Sequence, residues 1–215
     1  MRVALFGGTF DPPHRGHLGI ARAAAKAFAL DTVLFAPVGR QPLKPGMTVT
    51  SFDDRLAMAT LACEEEEEQQ LYRNPTGHRT SFQSSAIDAP APGDAPNYTV
   101  DTLTRLREQM PEATLYNLVG ADSFLSLRQW REPERLLALA EWIVVSRPGY
   151  SMEDLSALNL TSAERLRVHL IGSVHYDISS TFLRERLCAG DSARDLLPDS
   201  VARYIRDHRL YCTTT

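Results

Sequence analysis

The N-terminal part of the chain contains a short apolar run, a glycine pair and a longer amphipathic stretch, in that order. Residues 3–6 are apolar, Gly7 and Gly8 follow, and small or apolar side chains recur at helical spacing between Leu18 and Phe28. A short apolar run before a glycine turn is typical of a buried parallel strand, and the later spacing is typical of a helix. The sequence therefore predicts a strand, a tight turn and a helix, which is how an α/β fold begins.

The turn carries residues suited to binding an anion. The start of a helix presents backbone N–H groups and the positive end of the helix dipole, and glycines let a ligand approach the backbone. His14 and His17 lie three positions apart, so both imidazoles can face one pocket. An ordinary turn with two exposed histidines is the alternative. The glycine pair, the histidine pair and the strand-to-helix context together favour a phosphate-binding site.

Composition and charge narrow the class of protein. With 215 residues and 43% hydrophobic content the chain can bury one good-sized core, and we predict one domain. A net charge of −4 without a basic stripe argues against nucleic acid as a partner. We find no apolar run of the roughly 20 residues needed to cross a bilayer, and no signal peptide, so we expect no membrane association and a cytoplasmic location. Cys63, Cys188 and Cys212 fit neither a disulfide framework nor a zinc site and are expected to be free thiols.

A second strand is predicted at residues 32–36, which completes a parallel βαβ unit with the first strand and helix. A loop rich in proline and glycine follows at residues 39–46 and carries Arg40 and Lys44. This loop leaves the carboxyl end of its strand, the edge at which open α/β sheets bind ligands. The two cations can therefore reach a phosphate, although a solvated surface loop explains them equally well.

The middle of the chain gives weaker signals. A helix is predicted over residues 51–62, and we interpret the acidic run at residues 64–68 as its solvated end. Residues 80–87 can contain a short strand, and the segment 89–96 has the proline-rich composition of a flexible loop. The part of the chain from residue 64 to residue 96 therefore predicts little about function.

Three further strands are predicted at residues 114–119, 142–145 and 168–171. Asp122 follows the first of these strands, where a carboxylate can accept hydrogen bonds from ribose hydroxyls or cap the next helix. Arg147 follows the second strand in the same way. The carboxyl ends of the strands thus carry several polar side chains.

Two residues in this half of the chain have a structural interpretation, and one of them, Trp130, has a ligand-binding interpretation as well. Thr99 can cap a helix that runs to about residue 110. Trp130 can stack on a heterocyclic base or pack in the core, and core packing is the commoner outcome for a lone tryptophan.

Near the C-terminus, hydroxyl residues precede a helical stretch. Ser180, Thr181 and Arg184 can share one face at the start of this helix. Hydroxyl groups, helix N–H groups and a guanidinium on one face make a second anion site, whereas a plain helix cap with a surface arginine is the alternative. A closing helix is predicted at residues 198–208, so residues 178–211 form a small C-terminal helical part.

Taken with their order, these motifs make the chain resemble the bacterial nicotinate-nucleotide adenylyltransferases of the HxGH nucleotidyltransferase superfamily, over residues 1–211. The motifs that carry the resemblance are Gly7-Gly8-Thr9-Phe10-Asp11-Pro12, His14-x-Gly16-His17, Tyr98-Thr99-Val100-Asp101-Thr102-Leu103, Gly120-Ala121-Asp122, Arg147-Pro148-Gly149 and Ile178-Ser179-Ser180-Thr181-x-x-Arg184. The HxGH motif alone also occurs in class I aminoacyl-tRNA synthetases, whereas its combination with Ser-Ser-Thr-x-x-Arg is specific. The chain departs from the family at Leu43, where a histidine is common, and in the length of the segment 64–96.

The resemblance implies a single α/β domain, residues 1–215, with a Rossmann-like doubly wound parallel sheet of the nucleotidyltransferase type. It implies transfer of AMP from ATP to nicotinate mononucleotide, with release of pyrophosphate and deamido-NAD, in NAD biosynthesis. By the same resemblance the catalytic residues are His14, His17, Lys44 and Arg184. The implied ATP-binding residues are Gly7, Gly8, Thr9, Phe10, Gly120, Asp122, Ser180 and Thr181. The implied residues on the pyridine-nucleotide side are Thr99, Trp130 and Arg147.

The acceptor implied by the resemblance is a phosphate monoester, whose second pKa of about 6 leaves it largely ionised at neutral pH. A general base is then unnecessary, so we expect His14 and His17 to donate hydrogen bonds to polyphosphate. We expect Mg²⁺ to arrive with ATP rather than at a dedicated protein site. Nicotinamide mononucleotide or another phosphomonoester acceptor, and a non-catalytic nucleotide sensor, are the alternatives. A homo-oligomer is left open.

Overall fold

The structure is a computed structural model that describes residues 1–42, 49–73, 77, 79–146, 152–172 and 178–211. Two residues of the predicted site, Lys44 and Arg147, lie outside the described residues, and their roles stay predictions. Cys212 also lies outside them, whereas the buried Cys63 is a free thiol, as expected. Within the described ranges, no helix combines the length and the apolar character needed to cross a membrane.

A six-stranded parallel sheet forms the centre of the fold, which confirms the predicted doubly wound architecture. The strands are β1 (Arg2–Gly8), β2 (Thr32–Pro37), β3 (Ser81–Ser84), β4 (Thr114–Gly120), β5 (Glu141–Val145) and β6 (Val168–Ile171). Their spatial order is β3-β2-β1-β4-β5-β6. The order reverses between β1 and β4, and such a switch point opens a crevice at the carboxyl ends of the two strands. Each of the six strands was predicted from the sequence.

Helices cover both faces of the sheet. They are α1 (Arg15–Phe28), α2 (Phe52–Arg73), α3 (Thr99–Gln109), α4 (Ala121–Phe124), α5 (Pro133–Leu139), α6 (Ser162–Arg165), α7 (Ser180–Cys188) and α8 (Asp199–Asp207). Short 3-10 helices occupy residues 92–94, 127–129 and 152–158.

The alternation of side chains along β1 produces two separate cores. Ala4 and Phe6 pack with residues of α1, α2, α7 and α8, which cover one face of the sheet. Val3 and Leu5 pack with residues of α3 and α5 on the other face. Because successive strand residues point to opposite faces, one apolar run supplies both cores.

The starts of two helices differ from the predictions. α3 begins at Thr99 itself, and Tyr98 precedes it as the N-cap without a side-chain hydrogen bond, so Thr99 is not the cap. Gly120 is the N-cap of α4, so Asp122 is not a cap either. At α7 the hydroxyl cap is confirmed, because the Ser179 side chain accepts the N–H of Phe182 at 3.1 Å.

The acidic run is not the solvated helix end that its composition predicts. α2 continues through it to Arg73, and three of its carboxylates make defined contacts. Glu65 accepts the N–H groups of Asp199 and Ser200 at 3.2 and 2.8 Å, at the start of α8. Glu66 is 1% exposed and pairs with Arg22 at 2.7 Å. The charges therefore join α2 to α8 and to α1.

Glu67 binds a third neighbour of α2. Its carboxylate accepts the Ser81 hydroxyl at 2.9 Å and the N–H of Phe82 at 3.0 Å, both on β3. Sequence composition misses these contacts because the partners lie far away along the chain.

We expect Glu65→Ala to lower the free energy of unfolding by about 1 to 2 kcal/mol, because it removes a charged acceptor from the first turn of α8. Glu68→Ala, a change at an exposed position of the same run, is the matched control and should alter the unfolding free energy by less than about 0.5 kcal/mol. Urea denaturation of both variants measures the difference. Equal effects of the two changes would contradict the capping role.

Candidate active site

The turn after β1 is shaped by Phe10. Its backbone is left-handed, with φ at 50°, and its ring is 2% exposed and packs edge-on against Phe6 at a centroid distance of 5.4 Å. A Cβ on Gly8 would lie 3.0 Å from this ring, so a larger residue would displace it. Phe10 was predicted to bind ATP. Because its side chain is part of the core, Phe10 can contact a ligand only through its backbone.

The histidine pair is stacked at the entrance of α1. The ring centroids of His14 and His17 are 3.7 Å apart with an interplanar angle of 26°. The backbone N–H of His14 donates to Nδ1 of His17 at 3.2 Å. Since Nδ1 accepts this bond, the neutral His17 ring carries its proton on Nε2 and can donate it to a ligand. Nδ1 of His14 is buried and has no hydrogen-bond partner among the described residues.

Burial keeps both imidazoles neutral. It lowers the pKa of His14 from 6.5 to about 4. Burial, followed by the neighbouring His14, lowers the pKa of His17 well below its ordinary value. At neutral pH the pair therefore supplies N–H donors rather than positive charge. This suits the predicted role of the histidines as hydrogen-bond donors to polyphosphate, and any positive charge at the site has to come from other residues.

The predicted second anion element lies directly against the same turn. The Ser180 hydroxyl donates to the carbonyl of Pro12 at 3.0 Å, and Nη1 of Arg184 donates to the carbonyl of Asp11 at 2.8 Å. Nη2 of Arg184 donates to the hydroxyl of Thr181 at 3.3 Å. The fold therefore joins the two predicted phosphate-binding motifs, which the sequence separates by more than 160 residues. Their contacts with ATP stay a prediction.

Arg55 supports this turn and was missed in the sequence. It is 1% exposed, and its Nη1 donates to the carbonyl of Thr9 at 2.9 Å and to that of Val38 at 2.8 Å. Burial lowers the pKa of its guanidinium. A signal was available, because Arg55 shares helical spacing with the buried Met58 and Ala59 of α2.

A cavity of about 490 Å³ opens at the switch point between β1 and β4. Its walls include four residues of the predicted site: Gly7, Gly8, Thr99 and Trp130. Gly7 and Gly8 also lead into the turn that carries the histidines, so the cavity and the anion-binding elements adjoin at the glycine pair. The site thus has two adjoining parts. The turn with the histidines can hold a polyphosphate, and the cavity, lined in part by aromatic residues, can hold another group.

Trp130 combines its two predicted roles. Its ring meets that of Trp142 edge-on at a centroid distance of 5.9 Å, and its Nε1–H donates to the Ser126 hydroxyl at 3.0 Å. These contacts fix the indole while part of it lines the cavity. Core packing and ligand contact are therefore compatible here.

Two charged cavity residues were missed. Asp88 is 6% exposed, accepts the hydroxyl of Thr102, and has its pKa raised by burial. The Arg131 guanidinium lies over the ring of Tyr98 at 4.8 Å. Asp88 lies between the short strand predicted within residues 80–87 and the loop predicted at residues 89–96, so only the tertiary fold places it in the cavity wall.

The other predicted ATP-binding residues lie around this site. Asp122 is exposed on α4, beside Ser123 of the cavity wall, and Gly120 ends β4. The hydroxyl of Thr9 lies 3.5 Å from Oε1 of Gln41, just before the part of the loop that contains Lys44. The structure does not bring Asp122 into the cavity itself.

The lowered pKa of His14 makes a prediction about stability. Between pH 6.5 and about 4 the unfolded chain binds a proton at this position and the folded protein does not, so the unfolding free energy falls as the pH falls. His14→Asn removes this contribution. The stability difference between the protein and this variant should therefore shrink by on the order of 2 kcal/mol between pH 7 and pH 4.5, measured by urea denaturation. Parallel stability curves would show that His14 titrates normally.

Comparison with known proteins agrees with this geometry. The family described as cytidylyltransferase-like matches residues 5–186. A Roseiflexus sp. (strain RS-1) protein named "Probable nicotinate-nucleotide adenylyltransferase" is 42% identical over 209 residues, covering 97% of each chain. A protein of the same name from Solibacter usitatus (strain Ellin6076) is 39% identical over 212 residues, covering 98% of this chain and 100% of the other.

A solved structure shares the fold at low identity. The Plasmodium falciparum nicotinic acid mononucleotide adenylyltransferase complexed with NaAD has a TM-score of 0.70 and 19% identity, covering 98% of this chain and 97% of the other. The likeness extends over almost the whole of both chains. With relatives at this identity and coverage, the chain belongs to the nicotinate-nucleotide adenylyltransferase family, within the cytidylyltransferase-like proteins.

Proposed function

We propose that this protein transfers AMP from ATP to nicotinate mononucleotide, giving deamido-NAD and pyrophosphate in NAD biosynthesis. The observation that carries the proposal is the junction at Gly7 and Gly8. On one side lie the neutral histidine pair and Arg184, and on the other lies the cavity with Trp130. The reaction needs such a junction, because it joins two nucleotides through their phosphates.

The chemistry requires alignment and charge stabilisation rather than proton abstraction. An oxygen of the acceptor phosphate attacks the α-phosphorus of ATP, the new P–O bond forms, and the bond to the β-phosphate oxygen breaks with release of pyrophosphate. The attacking phosphate is already largely ionised at neutral pH. Burial lowers the pKa of both histidines, so in this proposal they act as donors to the phosphate chain.

Arg184 supplies positive charge in this mechanism. Its guanidinium is anchored to the carbonyl of Asp11 through Nη1, and the remaining N–H groups can bind phosphate oxygens. The hydroxyls of Ser180 and Thr181 lie beside it. Lys44, from the resemblance, is proposed to add a second cation. Holding the reactants in line contributes to the rate in its own right.

The cavity is proposed to hold the acceptor. Trp130 offers a ring for stacking on the pyridine, and Thr99 places the start of α3 in the cavity wall. The N-terminal end of a helix favours a negative group such as the nicotinate carboxylate. Arg147, from the resemblance, is proposed to contact the same nucleotide.

Magnesium enters the proposal with ATP, as part of the substrate. The Asp11 carboxylate of the turn is buried, and protein donors occupy both of its oxygens. The other side chains gathered at the turn are N–H and O–H donors and a guanidinium, which suit phosphate oxygens rather than a metal ion. Mg²⁺ keeps much of its water and usually binds substrate phosphates. It would offset charge on the phosphate chain, while the residues around the turn orient that chain. A cytoplasmic location and a homo-oligomer stay predictions.

Pyrophosphate release tests the proposed function. The protein is incubated with MgATP and either nicotinate mononucleotide or nicotinamide mononucleotide, and pyrophosphate is measured over time. We expect turnover with a clear preference for the acid. Preference for the amide would reassign the acceptor, and ATP binding without turnover of either compound would favour a nucleotide sensor.

We expect His17→Ala to lower kcat by about 100-fold or more, because it removes a donor positioned at the phosphate chain. His208→Ala is the matched control, since His208 is exposed and stacks on Tyr204 instead. Circular dichroism establishes that both variants fold. Full activity in the His17 variant would remove this residue from the site.

A further inference from the structure

Three parts of the chain that are far apart in sequence meet at the side chain of Asp11: its own turn, residues 49–50 and Tyr211. It is 0% exposed. Its Oδ2 accepts the N–H of Val49 at 2.6 Å and that of Thr50 at 3.4 Å. Its Oδ1 accepts the hydroxyl of Thr50 at 2.7 Å and the phenol of Tyr211 at 2.6 Å. Both carboxylate oxygens are therefore used inside the protein.

Tyr211 reaches this carboxylate from a position 200 residues further along the chain. Its backbone is left-handed, with φ at 62°, which is unusual for a bulky residue and needs support from surrounding contacts. Burial and the neighbouring Asp11 raise the pKa of its phenol well above the ordinary value, so the hydroxyl stays a donor. The contact fixes the segment that follows α8 against the turn after β1.

The same residue holds the cation of the proposed site through its backbone. Nη1 of Arg184 donates to the carbonyl of Asp11 at 2.8 Å, and Ser180 donates to the next carbonyl, that of Pro12. A shift of the Asp11 backbone that follows the loss of a side-chain partner would move the carbonyl that orients Arg184. A displacement of about 1 Å at a reacting group can cost two orders of magnitude in rate.

We propose that Asp11 and Tyr211 are positioning residues for the phosphate-binding half of the site. Tyr211 fixes the Asp11 carboxylate, and the Asp11 carbonyl in turn fixes the Arg184 guanidinium. Neither residue touches the substrate in this arrangement. The inference rests on the proposed function for its kinetic consequences, but its effect on ATP binding can be measured without turnover.

The decisive variant is Tyr211→Phe, which removes one hydroxyl and keeps the ring. We expect the affinity for α,β-methylene ATP, measured by titration calorimetry, to fall about tenfold, because Asp11 then no longer holds in place the carbonyl that orients Arg184. In the pyrophosphate assay kcat should fall by a similar factor, whereas the KM for the mononucleotide acceptor should stay unchanged. A purely structural role would lower the melting temperature and leave these values as they are.

Tyr204→Phe is the matched control. The Tyr204 phenol donates to Asp54 at 3.0 Å, an equivalent tyrosine–aspartate bond between α8 and α2. This variant should keep the affinity for the ATP analogue and the kcat of the unchanged protein. If the two phenylalanine variants lose affinity equally, the inference is overturned.

Thr50→Val gives a second approach to the same carboxylate. It removes the 2.7 Å hydroxyl bond to Asp11 and leaves the phenol of Tyr211 in place, so it keeps the inference testable if Tyr211→Phe does not fold. The same selective loss of analogue affinity is expected, and wild-type affinity would count against the proposal. If the unchanged protein binds the analogue but turns over no acceptor, the proposed function fails while the comparison of affinities still decides this inference.

Discussion

A carboxylate that is buried inside a protein needs hydrogen-bond donors from the protein itself. In this fold that requirement connects parts of the chain that are far apart in sequence. Asp11 has no access to water, so Thr50 and Tyr211 must be in place for its oxygens to be satisfied. The first turn is thus complete only when the C-terminal segment has docked. The buried Arg55 interacts electrostatically with the same carboxylate and holds the neighbouring carbonyl of Thr9.

The parallel sheet decides where the functional groups meet. All six strands end at one edge, so residues that follow β1, β2 and β4 are neighbours there in spite of their distance in sequence. Helices α1 and α3 then cover opposite faces, and the crevice between β1 and β4 separates the histidine pair from Trp130. The neutral state of the histidines follows from the same packing, because the His17 ring adjoins Phe6 and Phe10 and the His14 ring stacks on that of His17.

Most of the fold, including the turn that carries the histidine pair, could be predicted because the signals are local. A short apolar run, a glycine pair and helical spacing lie within a few residues of each other. Glu65 and Tyr211 could not be assigned, because each has a partner that only the tertiary structure brings near. Arg55 and Glu66 are intermediate cases, since a local signal for their burial existed but was not used. Both share the helical spacing of the buried residues of α2, which an interpretation based on composition overlooks. Thr99 was misplaced by one position, an error typical of helix ends.

Glu67 has a consequence for how this molecule behaves among its own copies. β3 is an edge strand of four residues, and the unpaired N–H groups of an edge strand can hydrogen-bond to a strand of another molecule. The Glu67 carboxylate occupies the N–H of Phe82 on that strand and places a negative charge there. A second strand that tried to add at this position would have to displace the carboxylate and desolvate its charge. Glu67 of the acidic run therefore hinders the addition of another strand at this edge of the sheet.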